Sequence, residues 1–220
     1  MKRLVLLFVV GLTFSLFSFA QEADPDQYLF PTFQPGQVMY KDGRVFNVSL
    51  NYNLVSNRFI FIDTYDNNIL KEFAELDKLG LVKVDDRNFH INNKGEAIEI
   101  LQVENPRILV EYRGKVKDLG QKAAYGGRSQ TSAIESLSSF QSGGQHYRLE
   151  GDPRYVVSGM ERRYQVDTPK KMRSFSNAKQ FVKIYPKHKD TLEKFIKEQK
   201  VNFDSTKQVV TLCNYAHTLQ

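Results

Sequence analysis

The chain has a single cysteine, Cys213, among its 220 residues. One thiol cannot close an internal disulfide, so the stability of the fold must come from an apolar core. Redox motifs that need two neighbouring cysteines are excluded for the same reason. Cys213 falls in an apolar helical pattern, which predicts a buried small hydrophobic side chain and not a nucleophile.

Recognisable catalytic and metal-binding motifs are also missing. The sequence has no GxSxG, HExxH or P-loop motif. Its four histidines are separated by far more than four residues, so their spacing does not predict a metal site. We therefore predict no catalytic residue, no metal and no cofactor, and the sequence leaves open whether the protein is an enzyme.

Long apolar runs are absent after the first 20 residues, MKRLVLLFVVGLTFSLFSFA. There Lys2 and Arg3 precede an apolar run, and small residues precede a cleavage point after Ala20, which predicts a signal peptide over residues 1–20. The run of about 14 residues is shorter than the roughly 20 that a membrane-spanning helix needs. We expect an exported chain, in the periplasm or outside the cell, with no transmembrane span after cleavage.

Positive charge is concentrated near the C-terminus. Residues 168–200 carry ten basic and three acidic side chains, a net charge of +7. A basic surface attracts anionic partners, which for an exported protein are envelope lipids, glycans or another envelope protein, and not nucleic acid. A solvated helix surface is the alternative. The predicted contacts to an anionic partner are Lys170, Lys171, Arg173, Lys179, Lys183, Lys187 and Lys189.

Apolar residues alternate with a period of two over residues 36–167, which predicts an antiparallel β domain. Asp42-Gly43 is a strong hairpin signal, because such a turn needs positive φ. In the strand after it, VFNVSLNYN, the alternation predicts an apolar face and a wet face that carries Asn47, Ser49 and Asn51. Residues 21–35 read as a polar leader whose latter part lies against the body.

Residues 119–145 interrupt the β pattern with a Gly/Ser-rich stretch. This stretch cannot bury enough apolar area to offset the entropy of ordering it, so we predict a flexible loop. Loops of this length are either disordered or functional, and a flap that covers a ligand is the alternative.

From Ser174 the apolar spacing changes to three and four, which predicts about three short amphipathic helices within residues 168–220. Ser176 is the expected cap of the first helix, and Ser205 with Gln208 has capping-box spacing for the last. The predicted fold is α+β: an antiparallel meander sheet or partly closed barrel, followed by a small C-terminal helical bundle packed on the sheet.

Three stretches carry a resemblance: "GQVMYKDGRVFNVSLNYNLVSNRFIFI", the Gly/Ser-rich insert after "EYRGKVK", and "FVKIYPKHKDTLEKFIKEQKVNFDSTKQVVTLCNYAHTL". Together they resemble a group of exported proteins of Bacteroides-like bacteria that has no established activity. These motifs are structural, so the resemblance implies a β-rich exported protein and brings no catalytic residue.

The leading hypothesis is a non-enzymatic cell-envelope protein that binds an anionic surface polymer or a partner protein. One alternative is a hydrolase with a carboxylate site beneath the 120–144 loop, for which Asp63, Asp66, Asp85 and Asp86 are the candidates. A second alternative is an outer-membrane β-barrel, suggested by strands near ten residues long. The lysine-rich helical C-terminus argues against the barrel.

Overall fold

The computed structural model describes residues 27–118, 121–122, 128–129 and 155–220. It confirms the α+β prediction: an open antiparallel sheet of ten strands precedes a C-terminal region of three helices. The sheet strands are β1 (Gln34–Tyr40), β2 (Val45–Asn53), β3 (Arg58–Asp63), β4 (Ile69–Glu72), β5 (Leu79–Val84), β6 (Arg87–Ile91), β7 (Ala97–Gln102), β8 (Ile108–Asp118), β11 (Tyr155–Val166) and β12 (Arg173–Phe175).

The sheet consists of two meanders that meet at β1. Its strand order is β12-β11-β8-β7-β6-β5-β1-β2-β3-β4, so β1 pairs with its hairpin partner β2 on one side and with β5 on the other. The β1–β2 turn forms as predicted, with Gly43 at a φ of +91°. Such a φ is the conformation that glycine adopts without a steric penalty.

Two short strands lie within the predicted loop. Strand β9 (Gln121–Lys122) pairs antiparallel with β10 (Arg128–Ser129). The residues of the predicted signal peptide and the remainder of the predicted loop lie outside the described residues.

The sheet curls, so that the end of β2 meets the middle of β8. The Gly114 N–H in β8 donates a hydrogen bond of 3.1 Å to the Leu54 carbonyl, although four strands separate β8 from β2 in the sheet. A Cβ atom built on Gly114 would lie 2.7 Å from that same oxygen, a backbone atom that cannot swing away. The absence of a side chain at Gly114 is therefore what allows the close approach.

We expect Gly114→Ala to lower the free energy of unfolding by about 1–3 kcal/mol, because the added methyl group forces two backbone segments apart. Gly159→Ala is the matched control in the paired strand β11, since its Cβ would have no neighbour closer than 3.9 Å. The control should stay within about 1 kcal/mol of the parent protein. Denaturant unfolding measures both, and equal effects of the two substitutions would contradict the close-approach argument.

The prediction that Asn51 lies on a wet face is wrong. Asn51 is 1% exposed, because the chain that precedes β1 covers it. Its side-chain oxygen accepts from the Phe30 N–H at 3.1 Å, and its amide group donates to the Phe30 carbonyl at 2.8 Å and the Thr32 carbonyl at 3.2 Å. The Asn51 side chain thus forms hydrogen bonds with backbone groups of Phe30 and Thr32 that have no partner strand there. These hydrogen bonds offset the cost of burying a polar side chain.

Three helices follow the sheet, namely α1 (Ala178–Val182), α2 (Lys189–Glu198) and α3 (Thr206–Thr218). Asn177, and not the predicted Ser176, caps α1: its side chain accepts from the Gln180 N–H at 3.0 Å. The segment 168–220, predicted to be helical, also contributes the edge strand β12, which pairs with the end of β11.

The cap of α3 departs in one respect from the predicted capping box. Ser205 accepts from the Gln208 N–H as expected, at 3.4 Å. The Gln208 side chain, however, accepts from the Asn202 N–H at 2.7 Å and does not return to the capping residue. Gln208 thereby also holds the link between α2 and α3 in place.

The helical region is joined to the sheet by polar contacts as well as by the shared core. Gln102, at the end of β7, and Asn214 of α3 exchange two side-chain hydrogen bonds, at 2.9 and 3.1 Å. The Tyr164 hydroxyl of β11 donates to the Phe203 carbonyl at 2.7 Å. None of the helices in the described part of the chain has the length and hydropathy needed to cross a membrane.

Candidate functional site

Aromatic packing fixes α1 against the edge of the sheet. Phe175 of β12 stacks on Tyr164 of β11, with ring centres 5.4 Å apart. Phe175 also packs edge-on against Phe181 of α1, with ring centres 4.8 Å apart. A five-residue helix is unstable alone, so these contacts determine where α1 lies.

Helix α2 is held by its neighbour α3. Leu192 is fully buried, and the ring of Phe195 stacks on that of Tyr215 at 4.2 Å. The single turn Pro186–His188 links α1 to α2. Because each helix has its own anchor, the two lie at a fixed distance and leave a cleft between them.

This cleft, which we call the basic groove, has a volume of about 730 Å³. Apolar side chains from both helices and from the link line it, as do four lysines and one glutamate. The lining residues are Ala178, Lys179, Val182, Lys183, Pro186, Lys189, Glu193, Ile196 and Lys197. The volume falls in the range of small-molecule binding sites, roughly 300–1,000 Å³.

The groove carries an excess of positive charge. Glu193, its one acidic lining residue, lies 3.9 Å from Lys189 in an exposed i,i+4 pair. Within the described residues, no carboxylate pairs with Lys179, Lys183 or Lys197. Three of the four lining lysines therefore form no ion pair with a described carboxylate, and they outnumber Glu193, so an anion entering the cleft would be attracted.

The structure brings together three of the seven residues predicted to contact an anion: Lys179, Lys183 and Lys189 line the groove. Lys187 is exposed in the turn beside it, and Arg173 is exposed in the edge strand β12. The remaining two, Lys170 and Lys171, lie in the link between β11 and β12. Lys197 belongs to the groove but was not among the predicted contacts, because its position depends on how α2 packs.

A partly buried ion pair lies between β6 and β7. Arg87 donates two hydrogen bonds to Glu99, at 2.7 and 2.9 Å, and the Tyr112 hydroxyl donates a third. Glu99 is 4% exposed, and the Arg87 guanidinium lies 4.7 Å from the ring centre of Phe30. Burial opposes the charge on Arg87, but hydrogen bonding and attraction to Glu99 outweigh it and raise the pKa of Arg87.

Sequence reasoning missed this ion pair. Glu99 alternates with Ala97 and Leu101, but Ile98 and Ile100 make the opposite face of β7 equally apolar, so the period of two alone does not show that Glu99 is buried. A buried charge needs a partner, and Arg87 on the neighbouring strand supplies it. Because both carboxylate oxygens of Glu99 accept hydrogen bonds from neighbouring strands, we interpret the ion pair as structural.

The four candidate carboxylates of the hydrolase hypothesis fall into two groups. Asp63 and Asp66 share Lys71, whose ammonium group donates to each at 2.7 Å. The hydrogen bond from Lys71 lowers the pKa of Asp63, which keeps it ionised and poorly suited to act as a general acid. Asp85 and Asp86 form the turn between β5 and β6.

Cys213 is fully buried in α3, as predicted, and burial raises its pKa to about 12. A thiol with that pKa is protonated at neutral pH and is a poor nucleophile. In the part of the chain that the structure describes, no group of three or more His, Cys, Asp or Glu side chains could hold a metal ion. The basic groove is thus the strongest candidate site among the described residues.

No family model, curated protein or solved structure matches the chain. The resemblance to exported proteins of Bacteroides-like bacteria therefore stays a prediction.

Proposed function

We propose that the protein is an exported, non-enzymatic component of the cell envelope that binds an anionic surface polymer or an anionic partner protein through its C-terminal helices. The observation that carries the proposal is the basic groove, where four lysines face one glutamate and Lys179, Lys183 and Lys197 form no ion pair with a described carboxylate. Export is supported by the pattern of the first 20 residues.

The chemistry of the groove favours binding over catalysis. Lysine ammonium groups are strongly hydrated point charges on flexible stems, which suit contact with many anionic groups in varied geometry. A general acid–base site needs titrating groups whose pKa values lie near the working pH. The groove lacks histidine and has one glutamate, so it offers charge and apolar surface instead.

We expect the chain 21–220 to bind anionic envelope glycans at low salt, and to lose that binding as salt screens the charges over roughly 8–10 Å. The triple variant Lys179→Gln/Lys183→Gln/Lys197→Gln should weaken binding by about tenfold or more, because three of the groove's four cations are removed. Titration of the purified chain with the glycan, at several salt concentrations, measures both effects.

The matched control is Lys83→Gln/Lys94→Gln/Lys117→Gln. These lysines are exposed, lie outside the groove and form no ion pair with a described carboxylate, so the net charge changes equally. Equal weakening by the two triple variants would show attraction by overall charge and would reject the groove. An absence of binding by the parent chain at low salt would reject the proposal as a whole.

A further inference from the structure

The two helices of the basic groove present apolar residues beside lysines. Ala178 and Val182 are four residues apart on α1 and lie on the same face, and each is followed directly by a lysine, Lys179 within α1 and Lys183 as its C-terminal cap. On α2, Ile196 is adjacent to Lys197. Where the helices meet, the apolar residues therefore form the floor and the lysines form the rim.

We propose that the basic groove binds a single-chain anionic amphiphile, with the alkyl chain on the apolar floor and the phosphate or carboxylate headgroup among the rim lysines. The proposal rests on the proposed function, because the same lysines supply the positive charge. It adds that the apolar floor contributes to affinity, which a purely charge-driven contact with a polymer does not require.

The groove by itself is too small for a protein–protein interface and suits a small ligand. A partner protein buries about 800 Å² on each side of a stable interface. Four apolar side chains line the groove, and the longer of its two helices has ten residues, a length of about 15 Å. A volume of about 730 Å³ suits one ligand of drug-like size, and the lysine rim matches a ligand with one anionic end.

A chain-length series tests the apolar floor without any substitution. Hexyl, octyl and decyl phosphate, each below its micelle concentration, are titrated calorimetrically into the chain 21–220. Each methylene that enters the groove should tighten binding by about fourfold. Affinity that does not change with chain length would overturn the proposal, as would equal binding of decyltrimethylammonium, which has the opposite headgroup charge.

Two variants locate the alkyl chain. Ala178→Phe fills the floor from a half-buried position without changing the charge, and Ile196→Gln makes the floor polar. Each substitution should weaken the binding of decyl phosphate by about tenfold or more, which is equivalent to the loss of about two methylene contacts. Circular dichroism verifies that each variant is folded. If neither variant folds, the chain-length series on the parent chain still tests whether the apolar floor contributes to binding.

The outcomes separate this inference from the proposed function. Glycan binding by the parent chain, together with alkyl phosphate binding that tightens with chain length, supports both proposals. Binding of anionic glycan or of anionic phospholipid vesicles, with no binding of any alkyl phosphate, overturns the amphiphile site and leaves charge-driven binding standing. Binding of alkyl phosphates without any binding of glycan supports the amphiphile site and rejects the polymer.

Discussion

Replacing Arg87 with methionine should lower the free energy of unfolding by about 3–5 kcal/mol, because the substitution leaves Glu99 buried without its cation. Methionine preserves much of the apolar contact that the arginine stem makes, so the loss reports mainly on charge. Chemical denaturation with a two-state fit measures the change. Arg113→Met is the control: Arg113 is half exposed and its ion pairs with Glu96 and Glu111 are long, at 3.6 and 3.5 Å.

Arg113→Met should lower the free energy of unfolding by about 0–1 kcal/mol, which is what exposed ion pairs contribute. The double variant Arg87→Met/Glu99→Gln should recover about 2 kcal/mol relative to Arg87→Met alone, since it removes the unpaired charge. Glutamine also keeps an acceptor for the Tyr112 hydroxyl. Two results would contradict the claim that buried Glu99 needs Arg87 as its counter-charge. One is a loss below 1 kcal/mol for Arg87→Met, and the other is a double variant that is no more stable than Arg87→Met.

Raising the pH above about 10 should unfold the protein steeply. Burial raises the pKa of four tyrosines far above the ordinary value of 10.0, and that of Tyr40 to a smaller extent. The four strongly shifted groups are Tyr52, Tyr112, Tyr164 and Tyr185. Between the unfolded and folded pKa values the unfolded chain has released these protons and the native chain has kept them. The stability that depends on the protonated hydroxyls is therefore complete below pH 10 and is lost as pH rises.

The size of the effect follows from the number of protons. Each group contributes about 1.4 kcal/mol per pH unit, so four contribute roughly 5–6 kcal/mol per unit. A domain that is stable by about 5–15 kcal/mol would unfold within roughly one to three units above pH 10. The chain has no tryptophan, so tyrosinate absorbance and far-ultraviolet circular dichroism can be compared directly.

The buried tyrosines should ionise together with loss of secondary structure. Tyr185→Phe removes one titrating group and should reduce the pH slope of the unfolding free energy by about 1.4 kcal/mol per unit. Gradual ionisation of all tyrosines near pH 10, with the circular dichroism signal preserved, would show that the buried hydroxyls are accessible and would refute this account.

The strands and helices could be predicted because their signals are local. Asp42-Gly43 supplies a turn by its own φ preference, and Ser205 caps a helix whose first turn it begins. The position of β1 between β2 and β5 has no local signal, since pairing with β5 joins segments that are distant along the chain. Sequence therefore predicted the elements of the sheet better than their order.

The site was partly predictable for a related reason. The excess of lysine in 168–200 is a property of composition, and it identified Lys179, Lys183 and Lys189. Which lysines share a cleft depends on the anchors Phe175–Phe181 and Phe195–Tyr215, which are tertiary contacts. The burial of Asn51 likewise depends on chain that folds over it from 21 residues away.

The lone thiol gives the molecule a built-in reporter on the motions of its last helix. Cys213 is fully buried, so an alkylating reagent can reach it when α3 lifts or the whole fold opens. The labelling rate at low reagent concentration then gives the free energy of that opening. A value smaller than that for global unfolding would identify the C-terminal helices as a unit that detaches while the curled sheet stays intact.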